Sequence, residues 1–108
     1  MVKSYDLECP VAFTLDVIGE RWTILILRDL FLKGPRRFQD LQENLPTVSP
    51  NTLTARLEGL VKNGIVEKEV YQTNPKRARY RLTPKGETLG PVMLALRAWG
   101  NTHRPDSD

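Results

Sequence analysis

The clearest indication of the fold is the segment FQDLQENLPTVSPNTLTARLEGLVKNGIVEKEVYQTNPKRARYRLT, residues Phe38–Thr83. It begins with a short amphipathic stretch in which apolar residues recur at helical spacing. A second periodic stretch opens at Ser49-Pro50 and closes at Gly64, and its apolar spacing predicts that Leu53, Leu57, Leu60 and Val61 face the core. Serine is a favoured helix N-cap, proline suits the first helical position, and glycine is the usual residue of a left-handed C-terminal cap. The segment therefore predicts two successive helices.

The remainder of this segment predicts a β-hairpin. Residues 65–71 and 78–83 have the composition of strands, and Asn74-Pro75 between them supplies turn chemistry. The second strand alternates an apolar face with a basic face, formed respectively by Ala78, Tyr80 and Leu82 and by Arg79 and Arg81. A helix pair followed by a basic hairpin is typical of the winged helix-turn-helix, in which the second helix enters a DNA groove and the wing contacts the adjacent backbone.

Further helices are predicted on both sides of this segment. One runs from about Pro10 to Ile18, and the next begins at Arg21. The sequence WTILILRDLFL is apolar almost all round, which predicts a buried central helix that Gly34-Pro35 ends. A last helical region opens at Thr83-Pro84, and Gly90-Pro91 should split it. The expected class is therefore α+β, mainly α, with a two-stranded wing.

The first helix carries two apolar stripes at helical spacing. They are Val11, Leu15 and Ile18 on one side, and Cys9, Phe13 and Val17 on the other. In so short a chain, two apolar faces suggest that one meets the protein's own core and the other meets a second subunit. The alternative is that both faces are covered within a single chain.

Length and composition exclude several classes of protein. With 108 residues the chain is expected to be one domain, residues 1–108. The apolar run near Ile24–Leu27 is too short to span a bilayer and no signal pattern opens the chain, so a cytoplasmic protein without membrane contact is expected. Cys9 is the only cysteine, and neither a metal-ligand cluster nor a cofactor motif is visible. No nucleophile–base pairing or phosphate-binding glycine loop is present either, which argues against an enzyme.

Positive charge is concentrated in two places. The net charge is +3 at pH 7, yet residues 73–85 contain five basic residues and no acidic one, and Lys33, Arg36 and Arg37 form a second cluster. Such clustering favours a nucleic-acid surface. The alternative is a solvated wing whose charges only resist aggregation.

The candidate DNA contacts follow from this arrangement. Asn51 suits adenine, Arg56 suits guanine or a phosphate, and Thr52 suits a thymine methyl group or a phosphate. The candidate set on the recognition helix is Ser49, Asn51, Thr52, Thr54 and Arg56. The candidate set on the wing and its flank is Arg36, Arg37, Lys76, Arg77 and Arg79, which would chiefly neutralise phosphates.

Three stretches cover most of the chain from Cys9 to Gly100: CPVAFTLDVIGERWTILILRDLFLKGPRRFQDLQENLP, VSPNTLTARLEGLVKNGIVEKEVY and RYRLTPKGETLGPVMLALRAWG. In these stretches the chain resembles the HxlR-type transcriptional regulators, a branch of the MarR-like winged-helix proteins. One departure is Asn51, where many relatives carry lysine or arginine, so an operator sequence cannot be transferred.

This resemblance implies a homodimer on a pseudo-palindromic operator, acting as a repressor or an activator. Residues 1–20 and 84–103 would form the dimerisation helices, residues 36–83 the helix-turn-helix and wing, and residues 104–108 a tail. The implied dimer contacts are Phe13, Val17, Val92, Leu96 and Trp99. A winged-helix protein–protein interaction module without specific DNA binding is the alternative function.

Cys9 has two interpretations. Some members of the family sense electrophiles or oxidants through a cysteine in this CP motif, and a helix N-terminus favours the thiolate, although Asp6 and Glu8 oppose it. A small-molecule or oxidant effector would follow. Alternatively, Cys9 packs as a small apolar residue at the dimer contact. The aromatic residues also have two interpretations: they line a ligand pocket, or they pack in the core. These residues are Phe13, Trp22, Phe31, Tyr80 and Trp99.

Overall fold

The computed structural model describes residues 8–105. Within them, the chain forms helices and one two-stranded antiparallel sheet. The elements in chain order are α1 (Pro10–Ile18), α2 (Thr23–Lys33), α3 (Phe38–Asn44), α4 (Pro50–Lys62), β1 (Val66–Thr73), β2 (Lys76–Leu82), α5 (Pro84–Glu87) and α6 (Gly90–His103). The mainly helical winged helix-turn-helix class predicted from the sequence is confirmed. No helix in the described range is long and apolar enough to cross a membrane.

Local side-chain chemistry fixes the ends of α4 and α5. The Ser49 hydroxyl accepts a hydrogen bond from the Thr52 N–H at 3.1 Å, and Gly64 adopts φ 74° just beyond the last turn of α4. Both features are those predicted for this helix. The Thr83 hydroxyl caps α5 in the same way, accepting from the Gly86 N–H at 3.0 Å.

The core lies between α2, α3 and α4 and the base of the hairpin. Its fully buried side chains include Ile26, Leu27, Leu41, Leu53, Leu57, Leu60 and Val66. Each such side chain contributes about 1.5–3 kcal/mol relative to an exposed one, so this cluster is the main source of stability. The inward direction of the three leucines of α4 is confirmed. Val61, which the spacing also placed in the core, is 41% exposed because it lies at the edge of the helix that faces the hairpin.

The turn between α1 and α2 differs from the prediction. The second helix begins at Thr23, so Arg21 lies outside it, and Trp22 adopts a left-handed conformation with φ 80°. Trp22 is the only non-glycine residue in the described range with positive φ. This conformation costs roughly 1–2 kcal/mol for an L-residue. Packing of the half-buried indole on the core and the Arg21 guanidinium 5.1 Å from its ring centre offset that cost.

The hairpin is longer than predicted and is attached to the start of α3. Its strands reach Thr73 and Lys76, with a cis peptide bond at Asn74-Pro75 and a bulge between Val70 and Gln72. Arg36 pairs with Tyr80 on the outer side of β2: the Arg36 N–H donates to the Tyr80 carbonyl oxygen at 2.9 Å, and the Tyr80 N–H donates back at 2.6 Å.

The C-terminal region is split as predicted, with α5 and α6 meeting at Gly90. Helix α6 continues to His103. The reason is local: the Arg104 N–H donates to the Gly100 carbonyl oxygen at 2.9 Å, and the Thr102 hydroxyl donates to Ala98. None of the residues of α6 is fully buried.

Candidate nucleic-acid interface

The N-terminus of α4 presents a polar, exposed surface. Asn51 and Thr54 are exposed, and the Ser49 hydroxyl donates to the Thr52 hydroxyl at 3.0 Å. The helix dipole adds partial positive charge at this end, and its first amides have no partner within the helix. These residues form the α4 tip, defined as Ser49, Asn51, Thr52 and Thr54. Because the side chains of Asn51 and Thr54 extend into solvent, this end can meet the edges of bases in a groove.

Arg56 points elsewhere. Its Nε donates to the Arg21 carbonyl oxygen at 2.7 Å, and its terminal nitrogen lies 3.5 Å from a Glu20 carboxylate oxygen. Position 56 follows Leu53 by three residues and precedes Leu60 by four, so its side chain starts beside the core-facing stripe. The sequence grouped Arg56 with the outward residues, whereas the structure turns its guanidinium toward the α1–α2 turn.

The outer face of the wing is an alternating ladder of charges, not the basic face that the sequence predicted. The register places Glu69 opposite Arg79 and Glu67 opposite Arg81. Arg79 donates to Glu69 at 2.7 Å, and Arg81 lies 3.2 Å from Glu67 and 3.7 Å from Glu69. The hydrogen bond from Arg79 lowers the pKa of the Glu69 carboxyl below its ordinary value. Both acids lie on β1, outside the acid-free stretch that suggested a basic face.

Uncompensated positive charge remains at the end of the hairpin. Lys76 and Arg77 are exposed there, and neither makes an ion pair with any residue in the described range. Lysine and arginine at such a tip suit phosphate contact or minor-groove entry. Together, Lys76 and Arg77 form the wing tip.

The basic flank before α3 is partly occupied. Arg37 binds the Asp40 carboxylate through two nitrogens at 3.3 and 3.2 Å, and this hydrogen bonding lowers the pKa of Asp40 and raises that of Arg37. Arg36 is half-buried beside the hairpin, and its Nε is buried with no hydrogen-bond partner among the described residues. The flank is therefore a weaker source of free charge than the wing tip.

Two cavities border different parts of the fold. The first, about 740 Å³, separates α4 from the hairpin and includes Tyr80, whose pKa is raised by burial and, to a smaller extent, by Glu58. The second, about 620 Å³, lies between α1, the α1–α2 turn and α6 and includes Trp22. The five aromatic residues do not line one pocket: Tyr80 and Trp22 belong to different cavities, Phe31 packs against the core, and Phe13 and Trp99 are exposed.

Large apolar side chains of α1 and α6 are exposed, and together they make up the apolar surface of these two helices. Its exposed side chains are Val11, Phe13, Leu15, Leu94, Leu96 and Trp99, with Phe13 67% and Trp99 69% exposed. Within the described residues, the single chain therefore does not cover both apolar faces of α1. Val17 and Val92 are half-buried against the core beside this surface. Exposed apolar patches of this kind mark sites of protein association.

Cys9 is the N-cap residue of α1 and its side chain is exposed. In a single chain Cys9 is therefore not buried. Phe13, on the same stripe of α1, is exposed as well. No group of three or more metal-ligating side chains occurs among the described residues.

Comparison with known proteins gives consistent results. The profile of the HxlR-like helix-turn-helix family matches residues 17–108. The chain is 38% identical over 96 residues to the HTH-type transcriptional regulator YybR of Bacillus subtilis (89% of this chain, 76% of YybR). It is 36% identical over 94 residues to the HTH-type transcriptional regulator YodB of the same organism (86% of this chain, 83% of YodB).

Solved structures agree with this assignment. The oxidised form of the redox regulator HypR superposes with a TM-score of 0.83 at 38% identity, covering 91% of this chain and all of HypR. The reduced form of YodB from B. subtilis superposes with a TM-score of 0.76 at 34% identity, covering 94% of this chain and all of YodB.

Proposed function

The chain belongs to the HxlR-like helix-turn-helix family, and from this premise we propose that it regulates transcription as a homodimer that binds a pseudo-palindromic operator in double-stranded DNA. The observation that carries the proposal is the pairing of an exposed polar helix start with an uncompensated basic wing tip. The first suits base edges and the second suits phosphates. The proposal includes a cytoplasmic location, where the protein would meet its DNA target, and no catalytic role.

Within this interface the residues have different roles. Asn51 would read a base, while Ser49, Thr52 and Thr54 would contact phosphates or bases around it. Lys76 and Arg77 would supply affinity without sequence preference. Arg36 and Arg37 would hold backbone on the other flank. Arg79 has a smaller role than the sequence indicated, because Glu69 already neutralises it.

Dimerisation is supported by the apolar surface of α1 and α6. Phe13, Leu96 and Trp99 would be buried against a second copy, with Val17 and Val92 behind them. Such a dimer would present two copies of α4 to successive major grooves, about one helical turn apart.

We extend the proposal to a response to oxidants or electrophiles through Cys9. HypR is a redox regulator, and YodB has been solved both reduced and after diamide treatment. The exposed Cys9 thiol is accessible to such reagents. As the only cysteine, it could form a disulfide with the same residue of a second copy or with a small-molecule thiol. In the exchange route, the Cys9 thiolate attacks a disulfide and displaces one thiolate.

The test is selection of duplexes from a random library by reduced protein, repeated after diamide treatment and with Cys9→Ser. An enriched pseudo-palindrome supports DNA recognition. Loss of binding on treatment that Cys9→Ser prevents supports the thiol response, and unchanged binding leaves Cys9 as a packing residue. Failure to bind any duplex in a salt-dependent way contradicts the proposal and favours a protein-interaction module.

Two substitutions separate affinity from specificity. Arg77→Ala should weaken binding to the enriched and random duplexes alike, whereas Asn51→Ala should reduce the preference between them. Arg104→Ala, which removes the same charge from the end of α6, is the control for Arg77→Ala. Equal loss of binding to both duplexes by Asn51→Ala would contradict its role in base recognition.

A further inference from the structure

The recognition helix is joined to the α1–α2 turn by one side chain. Arg56, near the middle of α4, donates to the Arg21 carbonyl oxygen at 2.7 Å and lies 3.5 Å from the Glu20 carboxylate. Of the side-chain hydrogen bonds made by α4 within the described residues, this is the one that leaves the helix and its N-cap. Arg56 and Arg21, the donor and acceptor of this bond, are 35 positions apart in the chain, so the bond links separate parts of the fold.

The turn that Arg56 holds is well fixed. The Thr23 N–H donates to the Glu20 carbonyl oxygen at 3.2 Å, and the Ile26 N–H donates to Trp22 at 3.0 Å. The left-handed backbone of Trp22 persists only because its surroundings determine it, and such positions concentrate at functional and switch regions. A displacement of this turn is therefore transmitted as a unit.

The same turn borders the apolar surface that the proposed dimer would bury. Glu20, Arg21 and Trp22 line the 620 Å³ cavity together with Leu15 of α1 and Leu96 of α6. A change in how α1 or α6 is packed thus acts directly on residues that Arg56 contacts. On its other side, Arg56 lies seven residues after Ser49, about 10 Å along the helix from the α4 tip.

We propose that Arg56 is a positioning residue for DNA recognition: its bonds to Glu20 and to the Arg21 carbonyl set the orientation of α4 relative to α1. The inference rests on the proposed DNA-binding function and assigns Arg56 a role other than base contact. A shift of α1 at the dimer surface would move the α1–α2 turn, and Arg56 would carry that shift to the α4 tip. Packed helices move by small shifts of this type in known switching proteins.

Glu20 distinguishes the positioning role from direct DNA contact. If Arg56 bound a phosphate or a base, Glu20 would compete with DNA, and Glu20→Gln would free Arg56 and tighten binding. If Arg56 positions α4, Glu20→Gln weakens that restraint and reduces the preference for the operator. The two roles predict opposite signs for the same variant.

The experiment measures the dissociation constants of the full chain for the library-enriched duplex and for a random duplex, at several salt concentrations. The variants are Glu20→Gln, Arg56→Gln and the double variant. Glu87→Gln and Arg104→Gln are the matched controls, since each removes the same charge away from α4 and neither residue makes an ion pair within the described residues. Circular dichroism and thermal melting establish that each variant is folded.

We expect Glu20→Gln, which retains the bond between Arg56 and the Arg21 carbonyl, to lower the ratio of specific to random affinity. Arg56→Gln, which removes both bonds, should lower it by about fivefold, the lower end of typical coupling between sites. The double variant should lower it no further, because the two residues form one link. The salt dependence should be unchanged, because no phosphate contact is lost. A merely structural role would lower the melting temperature without changing the ratio.

Several results would overturn the inference. They are tighter binding by Glu20→Gln, a salt slope for Arg56→Gln that is shallower by about 0.9, or an unchanged ratio in folded single variants. If Arg56→Gln does not fold, Glu20→Gln alone decides, since it retains the bond to the Arg21 carbonyl. A wild-type chain that binds no duplex would refute the proposed function and this inference together, whereas normal wild-type binding with unaffected variants refutes the positioning role alone.

Discussion

Replacing Glu69 by glutamine should free a wing arginine and make DNA binding more sensitive to salt. The Glu69 carboxylate accepts a hydrogen bond from Arg79 at 2.7 Å and also lies 3.7 Å from Arg81. Arg81 lies closer to Glu67, at 3.2 Å, and would keep that partner. The substitution preserves the size of the side chain and removes its charge. Arg79 alone would therefore become available to a phosphate, next to the wing tip.

The magnitude follows from the number of cations released. Each additional phosphate neutralised on duplex DNA steepens the plot of log affinity against log salt by about 0.9. Between 50 and 200 mM salt, one extra contact corresponds to an additional loss of affinity of roughly 3.5-fold. The expected change for Glu69→Gln is thus one such step, with tighter binding at low salt.

The assay is fluorescence anisotropy with a labelled random duplex at four or more salt concentrations. Glu87→Gln on α5 serves as the control, because it changes the net charge equally without touching the wing. Combining Glu69→Gln with Arg79→Gln should restore the wild-type slope. If Glu69→Gln and Glu87→Gln give the same slope, the ladder on the wing does not restrain Arg79, and the reasoning is wrong.

Three further predictions concern pH, stability and assembly. A carboxyl titration by NMR should give Glu69 a pKa below its ordinary value of 4.5, and Arg79→Gln should raise that pKa. Because the pKa in the folded state is the lower one, the Glu69–Arg79 pair stabilises the fold above the unfolded-chain pKa. This contribution to stability is lost as pH falls through the folded-state pKa. Gly34→Ala should destabilise the fold to urea by about 1–3 kcal/mol, since φ 79° and ψ −157° suit glycine alone. Gly59→Ala, within α4 and with open space at its Cβ, should instead stabilise the fold by about 0.5–1 kcal/mol. Similar changes in the free energy of unfolding for the two variants would contradict this account. Phe13→Asp should weaken the proposed dimer about 100-fold or more in sedimentation experiments, since symmetry removes two buried rings worth about 1.5–3 kcal/mol each, and an unchanged dimer would exclude this surface.

The helices and their caps were predictable because their signals are local. Ser49-Pro50 and Gly64 set the limits of α4 through bonds to residues within one turn. The spacing of Leu53, Leu57 and Leu60 likewise identified its buried face. Such features depend on the immediate sequence, which is present in full before any tertiary contact forms.

The electrostatics of the site were not predicted, because they depend on pairing between distant positions. Arg79 and Glu69 are ten residues apart and meet only through the hairpin register. The turn at Asn74-Pro75 was a visible signal, but by itself it would place Glu69 opposite Tyr80; the bulge between Val70 and Gln72 shifts the register so that Glu69 faces Arg79. No comparable signal existed for Arg56, whose direction is set by a carbonyl 35 residues away, or for the left-handed Trp22.

The bridge between Arg36 and Tyr80 divides the wing into two units of different cooperativity. A two-stranded hairpin is marginally stable alone in water, and β2 gains a second neighbour at Tyr80. Opening the base of the hairpin therefore requires its separation from the start of α3. The part of the hairpin between Ala78 and the wing tip can open without disturbing the core. In amide exchange this portion would be the low-stability foldon and the base would exchange with the core. DNA held at the wing tip would then extend the cooperative unit outward, because opening the distal part of the hairpin would also break its contacts with DNA.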